Sequence, residues 1–186
     1  MARLIYVTNM SLDGYIEDED GSFEFTAPGD DFFEFVTDIV RPVGTYLYGR
    51  RLYEAMAVWE TQPDLASRSP LTADFADVWQ AADKVVYSTT LDSVWTANTR
   101  LQRSFDPTEV RRLKDSAADD LMIGGADLAG QAFEAGLVDD CHLFVHPLLV
   151  GGGKRALPGR IRSHLELLAS HPFADGVIHL HHRVGR

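Results

Sequence analysis

The sequence predicts an α/β fold with a mostly parallel central sheet and antiparallel strands at the C-terminal edge. Short aliphatic runs alternate with segments of helical periodicity, and Gly, Ser or Thr follows the runs. Parallel strands need crossover connections, which are usually helices packed on both faces of the sheet. The last two strand patterns have no helix between them, as an antiparallel pair allows. A three-layer α/β/α arrangement therefore follows.

The N-terminal half begins with a predicted strand at residues 4–8 and a turn at 11–14. A helix is predicted after Pro28, because apolar side chains recur there at spacings of three and four residues. These side chains are Phe32, Phe35, Val36, Ile39 and Val40. A strand at 45–48 follows, and a helix is predicted from Gly49 towards Met56.

The second half continues the alternation and then changes character. The predicted elements are a helix at 75–82, a strand at 84–87, a helix at 109–116, a strand at 120–123, a helix ending at Gly136, a strand at 141–150 broken by Pro147, and antiparallel strands at 165–168 and 177–182. No segment has the composition of a linker, so residues 1–186 are predicted to form one domain.

Composition limits the classes of partner. With 17 Lys and Arg against 28 Asp and Glu, the net charge is −11, which argues against a nucleic-acid binder. No apolar run approaches the ~18 residues of a membrane span, and the N-terminus lacks a signal-peptide pattern. The single cysteine, Cys141, excludes an internal disulfide and fits a reducing compartment. We therefore expect a cytoplasmic protein, with Cys141 as a buried strand residue.

Three turns follow predicted strands and are candidates for ligand binding. They contain Gly49-Arg50-Arg51, Ser88-Thr89-Thr90 and Gly124-Gly125-Ala126. In a parallel sheet such turns share the carboxyl edge, where ligands bind. Glycine allows close approach to a phosphate, arginine can contact it with two hydrogen bonds, and helix N-termini attract anions. The sequence thus predicts a polyphosphate site, although neither the dinucleotide fingerprint nor the Walker pattern is present.

Four motifs carry a resemblance to a known family. They are SLDGYI at 11–16, YGRRLYE at 48–54, IGGADLAGQ at 123–131 and PLLVGGG at 147–153. In this order they resemble signatures of the dihydrofolate-reductase-like family, and they are most similar to the C-terminal reductase domain of the bifunctional riboflavin deaminase-reductase. The motifs span most of the chain.

The resemblance implies the dihydrofolate-reductase-like fold and an NADPH site. By position, Gly49 and Arg50 lie on the pyrophosphate and adenosine phosphate side. Ser88 and Thr89 are implied to bind the ribose 2′-phosphate, with Arg51 as a further candidate. The residues implied to line the pyrophosphate and nicotinamide ribose are Gly124, Gly125, Ala126, Asp127 and Leu128. We expect NADPH to be preferred over NADH.

Three carboxylates are candidates for catalysis. Asp13 lies in the loop that runs beside the nicotinamide in this family, although Asp-Gly is also a common turn pair. Asp30 or Asp31 matches the place of the carboxylate that assists protonation in dihydrofolate reductases. Helix capping is the preferred explanation for the latter two, because Asp is typical of helix starts.

Three further residues are candidates for substrate binding. Trp59 matches a family position at the substrate mouth, or it packs a loop. Lys154 and Arg155 follow the glycine run and could bind a substrate phosphate, or they are solvated loop charges. The histidines His142, His146, His179 and His181 could share strand faces, but we expect them on the strand surface and predict no metal site.

The implied activity is hydride transfer to a C=N bond or its tautomer, with a ribosylaminopyrimidine phosphate of riboflavin synthesis as the small-molecule substrate. The chain lacks the H-x-E and P-C-x-x-C signature of a zinc deaminase. Two alternatives remain: a dihydrofolate or pteridine reductase, and an NADPH-binding module without turnover. Family members commonly pair, so we expect a homodimer, with no nucleic acid or membrane partner.

Overall fold

The computed structural model describes residues 1–26, 29–159 and 161–185, so Pro28 lies outside the described residues. Its ten strands, in chain order, are β1 (Leu4–Ser11), β2 (Tyr15–Glu17), β3 (Val43–Gly49), β4 (Asp83–Tyr87), β5 (Thr99–Gln102), β6 (Asp120–Gly124), β7 (Asp140–His146), β8 (Lys154–Arg155), β9 (Leu165–Pro172) and β10 (Ile178–Val184). Eight of them form one sheet, and β2 pairs with β8 in a separate two-stranded sheet.

The main sheet has the order β5-β4-β3-β6-β1-β7-β10-β9. The strands from β5 to β7 are parallel to one another, while β10 is antiparallel to both β7 and β9. The predicted fold class is confirmed, including the antiparallel C-terminal pair. This order places β1 between β6 and β7 in the middle of the sheet.

Helices cover both faces of this sheet. They are α1 (Asp30–Val40), α2 (Arg50–Met56), α3 (Val58–Thr61), α4 (Pro63–Ala66), α5 (Pro70–Ala81), α6 (Pro107–Ser116) and α7 (Ala126–Glu134). One core joins the sheet to α6 and α7 through Val110 and Leu128. On the opposite face, Tyr53, Phe75 and Trp79 of α2 and α5 pack in a second core. Alternate strand residues point to opposite faces, which divides the apolar side chains between the two cores.

Local signals explain where the helices begin and end. Ser69 and Thr72 form a capping box at the start of α5, and the Asp106 side chain caps α6. Both helices start earlier than predicted, because apolar periodicity begins after their polar caps. Gly136 follows α7 with a φ of 62°, and β7 ends before Pro147, as predicted.

Several short elements were not predicted. β5 is a polar edge strand of four residues, and β2 and β8 have three and two residues. The helices α3 and α4 have four residues each. Such elements are too short to establish a hydrophobic period, so tertiary pairing rather than local pattern defines them.

Cys141 lies within β7 and is fully buried, as predicted. Burial raises the pKa of its thiol to about 12, so the thiolate is scarce at neutral pH. Among the described residues, no helix is long and apolar enough to span a membrane.

Candidate functional site

The three predicted turns meet at one cavity of about 560 Å³ on the carboxyl edge of the sheet. β3, β4 and β6 are neighbours, so the turns that follow them are adjacent. Nine of the ten residues predicted to bind the cofactor line this cavity: Gly49, Arg50, Arg51, Ser88, Thr89, Gly125, Ala126, Asp127 and Leu128. The convergence expected from the parallel topology is therefore present in the structure.

The tenth residue, Gly124, lies behind the cavity. A Cβ atom at Gly124 would overlap the Leu52 side chain, so this glycine lets α2 approach β6. Gly125 has a φ of 92°, in the region that favours glycine, and turns the chain into α7. A Cβ atom on Gly49 would meet no atom within 4 Å, so the cavity wall is open at this position.

Arg50 connects α2 to the turn after β4. Its Nε donates to Glu54 Oε1 over 2.7 Å, and its Nη1 donates to Thr90 Oγ1 over 3.0 Å. Within that turn, Ser88 Oγ accepts hydrogen bonds from the backbone N–H groups of Thr90 and Leu91. The guanidinium and the Ser88 hydroxyl thus lie on the same side of the cavity, with geometry fixed by hydrogen bonds.

Arg103 is a cavity residue that the sequence analysis missed. Its Nη1 donates to the carbonyl oxygen of Leu91 over 2.6 Å and to that of Ser88 over 3.3 Å. Ser104 and Phe105 follow it along the cavity wall. Arg103 directly follows β5, a strand that the sequence pattern does not predict. A residue directly after a parallel strand reaches the same carboxyl edge of the sheet, so recognising β5 would have identified Arg103. Arg103 therefore adds a cation to this part of the cavity.

Lys154 and Arg155 point to different places. Lys154 lines the cavity, and its Nζ lies 2.6 Å from Asp127 Oδ2 at the start of α7. The Arg155 guanidinium instead lies over the Tyr15 ring, 5.4 Å from its centroid. Arg51 also has a carboxylate partner, since its Nη1 lies 3.1 Å from Glu17 Oε1. Three of the cavity cations, Arg50, Arg51 and Lys154, are thus paired with carboxylates of the protein itself.

Asp13 joins two loops. Its carboxylate accepts hydrogen bonds from Ser11 Oγ over 2.6 Å and from the backbone N–H groups of Val150 and Gly151 over 3.1 and 2.7 Å. The Ser11 hydroxyl and these amides lower the pKa of Asp13 to about 2. Asp13 is therefore ionised at neutral pH and connects the loop after β1 to the glycine run.

Asp30 and Asp31 occupy the first turn of α1 and are exposed. The N-cap residue is Gly29, and no side chain caps this helix, so the capping explanation for the two aspartates is wrong. Their charges still interact favourably with the helix dipole. Trp59 packs between Phe33 and Phe75, with ring centroids 5.6 and 4.8 Å away, as its alternative packing role requires.

His146 and His179 are buried and His142 and His181 are partly buried, so the prediction that these histidines lie on the strand surface is wrong. His142 stacks on both His179 and His181, with ring centroids 5.2 and 4.1 Å away. Phe35 of α1 packs against His179 at 4.9 Å and covers this face of the strands. Burial and neighbouring histidines lower the pKa of His142 to about 3 and that of His179 to about 4. In the described part of the chain, no group of three metal-ligating side chains could hold an ion.

His146 ends β7 near the carboxyl edge and is buried. Its Nε2 lies 3.0 Å from Asn9 Oδ1 of β1. The Phe25 and Phe32 rings pack against the imidazole, and burial lowers its pKa. His146 is therefore held neutral in an apolar surrounding, beside the strand that carries the SLDGYI motif.

Comparison with known proteins identifies the family of the chain. The model of the RibD C-terminal domain matches residues 2–179. The chain belongs to the RibD C-terminal domain family. A curated family relative, the uncharacterized protein YyaP of Bacillus subtilis strain 168, is 26% identical over 183 residues, which cover 96% of this chain and 93% of YyaP.

Solved structures share the RibD C-terminal fold at low identity. A protein of Shewanella sp. PV-4 assigned to riboflavin biosynthesis has a TM-score of 0.76 at 19% identity, covering all of both chains. The deaminase/5-amino-6-(5-phosphoribosylamino)uracil reductase of Thermotoga maritima has a TM-score of 0.64 at 15% identity, covering 98% of this chain and 56% of that one. Dihydrofolate reductase from Enterococcus faecalis, complexed with NADP(H), has a TM-score of 0.67 at 13% identity, covering 99% and 97%.

Proposed function

We propose that the protein is an NADPH-dependent reductase whose cofactor lies in the cavity at the carboxyl edge of the sheet. The observation that carries the proposal is the convergence of Gly49, Gly125, Arg50 and Ser88 on this one cavity. Two glycine turns, a guanidinium and a hydroxyl are the groups that a dinucleotide with an additional phosphate requires. Membership of the RibD C-terminal domain family supports the same chemistry.

The residues present fit the cofactor. The open space over Gly49 and the turn at Gly125 accommodate a pyrophosphate beside the N-terminus of α7. Arg50, Ser88 and Thr89, with Arg103 as an additional cation, would hold the 2′-phosphate. When bound, NADPH supplies the hydride, and the protein orients the nicotinamide. Asp13 positions the glycine run through Val150 and Gly151 rather than donating a proton, because its pKa is about 2.

The proposed substrate is a ribosylaminopyrimidine phosphate, which is reduced at a C=N bond or its tautomer. The structural similarity to the deaminase/5-amino-6-(5-phosphoribosylamino)uracil reductase of Thermotoga maritima supports this class. Of the two cations expected to bind a substrate phosphate, Arg155 lies over Tyr15 and Lys154 lines the cofactor cavity, so we assign Lys154 to the cofactor phosphates instead. The single cysteine fits a reducing compartment, so we place this reaction in the cytoplasm.

The first experiment titrates the protein with NADPH and NADH and then measures NADPH oxidation with the pyrimidine substrate, dihydrofolate, and small imines or ketones. We expect tighter binding of NADPH and turnover of the pyrimidine. Arg50→Ala should weaken NADPH binding about tenfold, because a charge-assisted phosphate contact is lost. Arg183→Ala, which removes a surface pair with Glu166, serves as the control and should leave binding unchanged. Tight NADPH binding without turnover would instead indicate a binding module, and turnover of dihydrofolate alone a folate reductase.

We also propose that the protein forms a homodimer through β9. This edge strand is exposed along nearly its whole length, and it carries Leu167 at 55% and Leu168 at 38% exposure. An unprotected edge with apolar side chains favours pairing with another strand. Light scattering should give the mass of a dimer, and Leu167→Lys should shift it towards the monomer. A monomeric mass for the unaltered protein would contradict the proposal.

A further inference from the structure

Two segments of the chain pair beside the cavity, which Lys154 of the second segment lines, and we call this unit the flap. The flap consists of residues 11–17, which contain β2, and residues 148–156, which contain β8. The two strands pair, with Tyr15 opposite Arg155 and Glu17 opposite Lys154. Their connection extends on both sides, because the N–H of Ala156 donates to the carbonyl of Gly14 and the N–H of Leu12 to that of Leu148, each over 2.9 Å.

Close packing makes the flap one unit. Asp13 binds the backbone N–H groups of Val150 and Gly151 across the two segments. Gly153 has a φ of 118°, and a Cβ atom there would overlap the backbone of Glu17 and Asp18. Neither segment can shift without the other, because these contacts would be broken.

Two ion pairs connect the flap to α2 and α7. On one side, Glu17 of the flap lies 3.1 Å from Arg51 of α2. On the other side, Lys154 of the flap lies 2.6 Å from Asp127 of α7. Arg51 and Lys154 both line the cavity, so each pair engages a cation that an anionic ligand would also contact.

The two pairs are weak enough to be exchanged. Arg51 is 73% exposed and Asp127 is 80% exposed, so solvent screens both interactions. A phosphate group carries more charge and more acceptor oxygens than one carboxylate, and its contacts to cations are correspondingly stronger. Glu17 and Asp127 also place negative charge beside a site for anions, which opposes ligand binding through Coulomb repulsion.

We propose that Glu17 and Asp127 act as internal competitors of the cofactor. They hold the flap through Arg51 and Lys154 in the ligand-free protein, and the phosphates of the cofactor take over both cations when it binds. This inference rests on the proposed function, since it assumes a phosphate-bearing cofactor in the cavity. It assigns Glu17, whose carboxylate contacts the cavity cation Arg51, a role in setting cofactor affinity.

The test compares NADPH and NADH binding in Glu17→Gln, Asp127→Asn and the control Glu166→Gln, which removes the carboxylate of a surface pair outside the cavity. Removing a screened competitor should tighten NADPH binding about two- to fivefold in each of the first two variants, with no change in the control. In an Arg51→Met background, Glu17→Gln should give a smaller gain, because the cation it releases is absent and only the Coulomb repulsion is relieved. Unchanged or weaker binding in Glu17→Gln would overturn the proposal for that pair. Weaker binding in Asp127→Asn would assign its carboxylate to direct contact with the cofactor and overturn the other half.

Hydrogen exchange without ligand separates this inference from the proposed function. Glu17→Gln should speed exchange of the Ala156 and Gly151 amides, which bond across the flap, and leave that of Leu121 in the central sheet unchanged. If the unaltered protein binds no NADPH, the cofactor assignment fails. Faster amide exchange in the flap of Glu17→Gln would still support the inference that the ion pairs hold the flap in place. Unchanged amide exchange in the flap of both Glu17→Gln and Asp127→Asn would contradict the inference that the ion pairs hold the flap, even if NADPH binds.

Discussion

The three lysines of the chain lie in two different surroundings. Lys84 and Lys114 are buried, at 0% and 4% exposure, whereas Lys154 lines the cavity. Lys84 Nζ donates to the carbonyl oxygens of Trp79 and Ala82 over 3.1 and 2.8 Å, where α5 ends. Lys114 Nζ donates to the carbonyl of Leu137 over 2.7 Å and also pairs with Asp139.

The comparison distinguishes lysines whose partners are fixed in the protein interior from a lysine whose partner a ligand can replace. The backbone carbonyls at the end of α5 cannot leave Lys84 without unfolding the helix end, and Lys114 is buried against a backbone carbonyl and a carboxylate, so both interior lysines are permanent parts of the structure. Lys154 has the exposed Asp127 carboxylate as its partner, and a phosphate can replace it. Lys84 and Lys114 therefore contribute to the stability of the fold, and Lys154 at the carboxyl edge of the sheet contributes to ligand binding.

The largest expected effect removes an interior cation. Lys84→Met should lower the free energy of unfolding by about 3 kcal/mol, because buried carbonyl oxygens lose their donor. The folded fraction should bind NADPH as before, since Lys84 lies away from the cavity. Denaturant titration and NADPH titration of the same variant check both statements. A normal unfolding free energy would mean that water replaces the ammonium group at the end of α5.

A second prediction concerns the interior histidines of β7 and β10. Burial holds the pKa of His142 near about 3 and that of His179 near about 4, below the ordinary 6.5. The unfolded chain therefore binds more protons, and the free energy of unfolding should fall as the pH drops from about 6.5 towards 4. We expect a loss on the order of 2 kcal/mol for each of the two histidines between pH 7 and pH 5.

Unfolding titrations over this pH range check the prediction. His142→Gln should flatten the dependence on pH, because one titrating group is removed. His164 is exposed, so His164→Gln is a matched control that should keep the full slope. An equal slope in all three proteins would contradict the assignment to the buried histidines.

The smallest effect removes the edge cation. Lys154→Met should weaken NADPH binding about tenfold, since it removes one charge-assisted contact. The free energy of unfolding should change by less than about 0.5 kcal/mol, as for most partly exposed ion pairs. Calorimetric titration and thermal unfolding measure the two quantities. A loss of stability comparable to that of Lys84→Met would contradict the distinction between the buried lysines, which stabilise the fold, and Lys154, which contributes to binding.

The sequence was sufficient for the convergence of Gly49, Ser88 and Gly125, because parallel strands bring their carboxyl ends together whatever their order. It was insufficient for Arg103, since a four-residue polar strand has no period of its own. The histidines were misplaced because α1 covers a strand face that the local pattern does not distinguish from the surface. Lys154 and Arg155 point to opposite sides of a short strand, and only its pairing with β2 determines which one reaches the cavity.

The burial of Cys141 has a practical consequence for labelling. With a thiol pKa of about 12 and no exposed surface, this residue should not react with maleimides in the native state. A cysteine introduced at Leu149, which is 72% exposed on the flap, would then be the single reactive thiol of the protein. A fluorophore or spin label at that position would test whether the flap moves when a ligand binds, without first removing the native cysteine.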